Sequence, residues 1–495
     1  MNKNTGFFGA QTKTKYIIAL LVIAGFGLRL FMARADPYLH DWDERFHALV
    51  AENMMHHPFT PMLRVNPVIP YNPYNWCDNH IWVHKQPLFL WQMALSMRIS
   101  GVSERTMRLP SVLMGTLMIL LLFRIAVLFT GNRLTSLIAA GLLAFSNVFI
   151  NLSAGIQGQD HNDLAFCFYV LASIWAYTEY IRSPKWYWVL LVGLFSGCAV
   201  LNKWLLGWLV FLGWGVHCLL RIRKERMRKE WLHLVIALFV SCVIFLPWQW
   251  YIFHAFPKEA AYEMAFNRRH ITEALEGHDG TVFYYVSHFY AVFGNGCWLL
   301  LVPGMMAALL QQQALNRYLL VSFLVEILFV FCFFSFAVKS KGYNYFLFVA
   351  PLCLLFIAGF LSLLIRKLKK AYWVVPFLLL VLFDVLNPVK IMQHLSAANM
   401  ERADKIYNTQ IYKKAKEYLP GNIRIVMNLD ALEDIPFMFY NSSCSAYDGV
   451  LSEADMNRLA KKKVPVAAFK NHGTYILPGY VLRYPYLYII PLDLR

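Results

Sequence analysis

Charge is what this chain has least of. Only 15% of its 495 residues are Asp, Glu, Lys or Arg, and just 29 are acids, while 58% are hydrophobic and 16% aromatic. A soluble domain carries about a quarter charged residues, so a soluble fold is excluded and the chain reads as a polytopic membrane protein. The nine cysteines have no paired or metal-ligand spacing, which excludes a disulfide scaffold or a zinc finger and leaves them as small buried apolar residues. The tail holds no glycine-rich phosphate loop, and no organic cofactor is expected.

Long apolar runs are what the chain has in their place. About eleven are long enough to cross a bilayer core of roughly 30 Å as helix. They lie near 16–33, 111–130, 134–152, 163–181, 186–202, 204–220, 232–253, 297–312, 318–337, 343–365 and 371–388. The net charge of +17 would suit a nucleic-acid partner, but the basic residues sit in short connections between spans, so the partners are membrane lipids and no nucleic acid is expected. Arg221, Arg223, Lys224, Arg226, Arg228 and Lys229 follow the sixth span, Arg366, Lys367, Lys369 and Lys370 the tenth, and Lys3, Lys13 and Lys15 precede the first. The positive-inside rule makes that side cytoplasmic. The N-terminus is then inside, and the tail from 390 onward is outside. Ala33-Arg34-Ala35 also resembles a signal-peptide cleavage site, although Arg29 is foreign to such an apolar core; Asp43 ends up outside on either reading.

Two external loops interrupt the membrane domain of 1–389. The first, 34–110, holds a helical stretch Arg45 to His57, with Asp41 or Asp43 as its cap, and an apolar helix Gln86 to Ile99 suited to an interface. The second spans 255–296. In the tail, 390–495, charged amphipathic stretches (Ala403 to Tyr418, Ser452 to Lys463) alternate with short apolar runs (Ile423 to Met427, Val464 to Phe469, Tyr486 to Ile490). That pattern predicts a small soluble α/β domain.

Acids, imidazoles and cations collect at the external span ends: Asp41, Asp43, Glu44, His47, His80, His84, Lys85, Asp160, His161, Asp163, Lys203, Arg268, Arg269, His270, His278, Lys339 and Lys341. A base for an acceptor hydroxyl must be a carboxylate or imidazole within hydrogen-bond reach, and Asp43 suits that task. Cations at separate span ends suit a departing phosphate. Each residue also has a plainer use: Asp160 and Asp163 as caps of the fourth span, Lys203 as a snorkelling anchor, His80 and His84 as a solvated pair.

The succession Trp42-Asp-Glu-Arg-Phe-His-Ala48, His84-Lys-Gln-Pro-Leu-Phe-Leu-Trp91 and Arg108-Leu-Pro-Ser111 resembles the start of polyprenyl-phosphate-sugar-dependent glycosyltransferases of the GT-C fold, the superfamily of protein O-mannosyltransferases and the lipid A aminoarabinose transferase. Gly158-Gln-Asp-His-Asn-Asp-Leu-Ala165, Leu201-Asn-Lys203, Pro247-Trp248, Gly277-His-Asp-Gly-Thr-Val-Phe-Tyr-Tyr285 and Lys339-Ser-Lys-Gly-Tyr-Asn-Tyr345 look like its later landmarks, so the resemblance covers about 15–355. It implies an α-helical GT-C membrane domain and a polyprenyl-phosphate sugar donor. It also implies an acceptor that arrives from the external side, where a lipid, a protein or a glycan would each suit; with no endoplasmic-reticulum retention tail in view, the expected setting is a bacterial inner membrane with that side periplasmic. Asp43 matches the family's acid in the first external loop, as base or acceptor-orienting group with Glu44 beside it, and Asp163 or Asp160 matches the acid of the second, Asp163 being preferred because Leu-Ala follows it; Asp43, Glu44 and Asp163 are the catalytic residues that the resemblance implies. Lys85 matches the lysine of a Glu-Lys-Pro-Pro motif, while His84 replaces its metal-binding acid. With His278, which matches a family histidine, it would form a site for zinc or magnesium. Lys341 and Tyr345 match donor-phosphate residues, to which Lys203, Arg268 and Arg269 are added. Where the family has an arginine after Asp-Glu this chain has Phe46, so that arginine's role is either missing or taken over by Arg45. The expected activity is inverting transfer of a hexose or pentose; the competing readings are a transporter or flippase of lipid-linked saccharides and a sensor or assembly module on a membrane anchor.

Overall fold

The computed structural model describes residues 5–69, 75–77, 79–156, 160–220, 227–311, 316–367, 373–470 and 476–494, with side chains excepted for 5–11 and 227. Lys3, Arg221, Arg223, Lys224, Arg226, Lys369, Lys370 and the Gly158-Gln159 pair lie outside the described residues. The chain divides into two units, one of Met1–Ala33, Pro110–Ala255 and Met264–Pro388, the other of Arg34–Leu109, Phe256–Glu263 and Val389–Arg495.

Among the described residues, eight helices are long and apolar enough to cross a membrane: Thr12–Ala35, Glu104–Thr130, His161–Arg182, Trp186–Lys203, Arg228–Ala255, Arg317–Ala337, Tyr343–Lys367 and Val374–Leu395. Two bent helix pairs are each a broken span or a re-entrant loop, Arg133–Ala144 with Asn147–Ala154, bent by 45°, and Tyr284–Phe293 with Cys297–Leu310, bent by 110°. Leu205–Leu220 is a shorter apolar helix. The eleven expected spans therefore correspond to eight full helices, two bent pairs and one short helix, a distinction that hydropathy does not carry. At the sharper bend Gly294 takes φ 99°, and the Asp384 carboxylate accepts from the backbone N–H groups of Gly296 (2.9 Å) and Cys297 (2.8 Å), which satisfies donors that a helix start leaves open.

Backbones in this unit approach closely. A Cβ at Gly193 would lie 2.5 Å from the Ala237 carbonyl and one at Gly197 2.8 Å from that of Ser241. This is the small-residue spacing that lets membrane helices pack without a hydrophobic drive between them. Arg29 is fully buried in the first span and donates to the carbonyls of Gly25, Leu143 and Ala144, each at 3.0 Å.

In the second unit the tail forms the expected α/β domain. Four parallel strands, β1 (Ile425–Leu429), β2 (Ser445–Asp448), β3 (Val466–Phe469) and β4 (Leu487–Ile490), lie in the order β2-β1-β3-β4. Three of them fall on the predicted apolar runs; β2, Ser-Ala-Tyr-Asp, is too short and polar to stand out. The amphipathic stretches form the helices Met400–Tyr418 and Glu453–Lys461, the latter capped by Ser452. The first loop supplies helices Asp43–Met54 and Leu88–Ser100. Neither Asp41 nor Asp43 caps the former: Trp42 holds the cap position at φ 62° and Asp43 opens the first turn.

Loop and tail are joined through buried polar groups. Arg64 donates to the Ala446 carbonyl at 3.0 Å and pairs with Asp434, while Lys413 and the Tyr440 hydroxyl both donate to Glu104 at 2.6 Å. Glu52, on the Asp43–Met54 helix, has its carboxyl pushed up to about 8 by burial, against the opposing pull of the Ser442 hydroxyl and Lys416. A carboxyl that stays protonated in the fold but ionises near 4.5 when unfolded stabilises less and less as pH rises from about 4.5 to about 8. Glu52→Gln is expected to flatten that decline, seen as a thermal midpoint that no longer falls across this window.

Candidate active site

Asp43 heads its helix with a partly exposed carboxylate, and its Oδ2 lies 3.7 Å from Nζ of Lys85, whose side chain is exposed to a similar degree. This is an acid at a helix N-terminus, where negative charge is favoured, with a cation at its side. Trp42 before it holds a left-handed backbone that side chains larger than glycine adopt at a cost, of the kind that marks functional turns.

Glu44 is placed differently. Its side chain is wholly buried, its two oxygens accept from Arg108 Nε (2.7 Å) and Nη2 (2.8 Å), and Oε2 also accepts from the backbone N–H of His40 at 2.7 Å. It holds the helix start from below and does not face an acceptor. Phe46, which stands where the family has arginine, is buried against Trp76 and Trp82 at ring-centroid distances of 4.9 and 6.4 Å. Arg45 is turned to the tail, donating to the Leu432 carbonyl (3.0 Å) and pairing with Asp41 and Glu433. Phe46 is thus held by packing, and Arg45 by ion pairs and a carbonyl.

His84 stacks flat on Trp76 (4.5 Å, 6°), and its Nδ1 is 2.9 Å from Oε2 of Glu263. Imidazole and carboxylate are donor types that zinc takes, and Glu263, 179 positions away, is a residue that sequence reasoning missed. In the same unit Asp36 gathers His40, His394 and Arg402. Burial alone would raise its carboxyl, yet hydrogen bonds from His394 and His40, with Arg402, hold it well below the usual carboxylate range.

In the first unit, Asp160 caps the His161–Arg182 helix by accepting from Asn162 N–H at 3.1 Å, while Asp163, one turn in, pairs with the Lys203 ammonium. Lys203 ends the Trp186–Lys203 helix, is followed by Trp204 at φ 82°, and lies 5.7 Å from the ring centre of Tyr345. Asp163, Lys203 and Tyr345 thus come together. Lys341 is engaged elsewhere: its ammonium donates to the carbonyls of Phe334 (2.6 Å), Ser335 (2.9 Å) and Val338 (2.5 Å), closing the π-helical turn Phe333–Ala337. Burial, with Lys339 close by, lowers its pKa from the usual lysine value. Arg268 and Arg269 are exposed on the Pro257–Thr272 helix, the latter paired with Glu273 at 2.8 Å. The His278 side chain is exposed, and its carbonyl accepts from Lys341 N–H at 2.7 Å.

The helical membrane unit and the small parallel sheet define the class: the chain has the GT-C fold. Residues 84–251 match the family model described as dolichyl-phosphate-mannose-protein mannosyltransferase. ArnT from Cupriavidus metallidurans, bound to undecaprenyl phosphate, superposes with a TM-score of 0.61 over 92% of this chain and 90% of that one, at 16% identity. Archaeal oligosaccharyltransferase AglB from Archaeoglobus fulgidus, in complex with an inhibitory peptide and a dolichol-phosphate, gives 0.58 over 88% and 64%, at 12% identity. An uncharacterized protein of Aquifex aeolicus (strain VF5) is 27% identical over 154 residues, 30% of this chain. That alignment spans 30% of the relative's length.

Proposed function

We propose that this protein is an inverting glycosyltransferase that moves a sugar from a polyprenyl-phosphate donor to an acceptor on the periplasmic face of a bacterial inner membrane. The observation that carries the reading is the Asp43–Lys85 pair at the head of the Asp43–Met54 helix, on a GT-C fold. The acceptor oxygen attacks the anomeric carbon and its proton passes to the Asp43 carboxylate. The bond from that carbon to the phosphate oxygen breaks, and the electron pair leaves with the phosphate. A single direct displacement inverts the anomeric centre.

Lys203 is assigned to the phosphate, Asp163 to orienting Lys203, and Tyr345 to flanking it, with Arg268 and Arg269 offering further positive charge; Lys85 is assigned to the side of Asp43. Lys341 reaches the donor only by giving up its three carbonyls, so its task in this reading is to hold the Lys339–Tyr345 segment. A divalent metal, zinc or magnesium, would be held by His84 with Glu263 and would supply added positive charge at the leaving group. Lipid, protein and glycan hydroxyls all suit the chemistry as acceptors.

The test is transfer of labelled sugar from a polyprenyl-phosphate donor by the purified protein in lipid vesicles. Lys203→Ala is expected to weaken dependence on donor concentration about 10- to 100-fold, the worth of one charge-assisted hydrogen bond, with Lys203→Arg recovering part of it. Movement of intact lipid-linked sugar across the vesicle without transfer would sink the reading in favour of a flippase.

A further inference from the structure

The second unit also holds two imidazoles and a carboxylate that no step above uses. Asp36 follows the first membrane helix, His40 comes four residues later, and His394 lies on the Pro388–Leu395 helix. Nε2 of His40 is 3.0 Å and Nε2 of His394 is 2.7 Å from the same Asp36 oxygen, Oδ2, and one ligand atom from each residue lies within 4.8 Å of the others. The other side of Asp36 and of His40 is fixed. Arg402 donates to Asp36 Oδ1 at 2.6 Å, and His40 Nδ1 is 2.7 Å from Glu44 Oε2.

Nδ1 of His40 also lies 3.1 Å from Nη2 of Arg108, which donates to the Tyr38 carbonyl (2.6 Å) and to Glu44 Oε2 (2.8 Å). The Nε2 atoms of both imidazoles thus face one carboxylate oxygen, with Glu44 and Arg108 holding the His40 ring from behind.

We propose that Asp36, His40 and His394 bind a divalent transition metal, zinc foremost. Two imidazoles and one carboxylate form the donor set of three-ligand zinc sites, and the carboxylate behind His40 and the guanidinium on Asp36 are the outer partners that fix such ligands. Zinc at about 2.0–2.1 Å from each ligand needs them about 3.3 Å apart, a movement of a few tenths of an ångström for His40. The His394 side chain, 22% exposed, gives the ion a way in and leaves a position for water. The ion ties the end of the first membrane helix to the end of the last, 358 positions later.

The full-length protein in detergent, stripped with EDTA, reloaded with zinc chloride and dialysed, is assayed for metal by mass spectrometry. Wild type is expected to retain about one zinc more per chain than His394→Ala or Asp36→Asn, and to gain thermal stability on loading. His394→Cys should keep the ion, and His84→Ala should keep this equivalent whatever it loses at its own site. Equal zinc in wild type and His394→Ala overturns the proposal, as does zinc that depends on His84 alone. No sugar transfer is measured, so failure here leaves the proposed function standing.

Discussion

Replacing Asp43 by Asn is expected to lower sugar transfer about 10²- to 10⁴-fold, the usual contribution of a positioned general base, while the protein still binds polyprenyl phosphate and unfolds at the wild-type temperature. The two readouts separate for a physical reason. Asp43 and Lys85 are both partly exposed and 3.7 Å apart, and such a pair contributes about 1 kcal/mol or less to stability. The amide keeps the shape and the hydrogen bonds but cannot take a proton. Transfer at the wild-type rate by Asp43→Asn, with binding and stability intact, would remove Asp43 from the chemistry.

The neighbouring acid should behave in the opposite way. Glu44→Ala leaves the Arg108 guanidinium, which has no exposed surface, without its carboxylate. Breaking a buried ion pair from one side costs about 3–5 kcal/mol, so the thermal midpoint is expected to fall by roughly 10 °C. Replacing both partners by leucine should restore much of that loss, because no charge is then left stranded. Differential scanning fluorimetry on the single and double variants decides it. If Glu44→Ala loses transfer at unchanged stability, Glu44 touches substrate and its assignment as a buried support is overturned.

These two residues also show how far the sequence could be read. An unbroken apolar run about 20 residues long has one physical outcome, a membrane-crossing helix, so the spans were legible and only their bends were hidden. Asp43 and Glu44 are adjacent and chemically alike in the sequence; what separates them is Arg108, 64 positions on, and long-range pairing leaves no local pattern. Glu263 escaped notice for the same reason. Lys341 looked like a free cation because a turn whose carbonyls need a donor does not announce itself in Phe-Phe-Ser-Phe-Ala. Asp163, Lys203 and Tyr345 were found because family motifs marked each one, and the structure places them together.

The clasp between Arg64 and Asp434 spans 370 positions. A ribosome that has finished the first external loop must still insert every later span before the loop's buried arginine meets its acid. Until then that arginine, with the Glu104 carboxylate that waits for Lys413 and Tyr440, stays hydrated, and the segment bearing Asp43 lacks its backing. Assembly order therefore matters: the loop that bears Asp43 gains these partners only once the tail has been made.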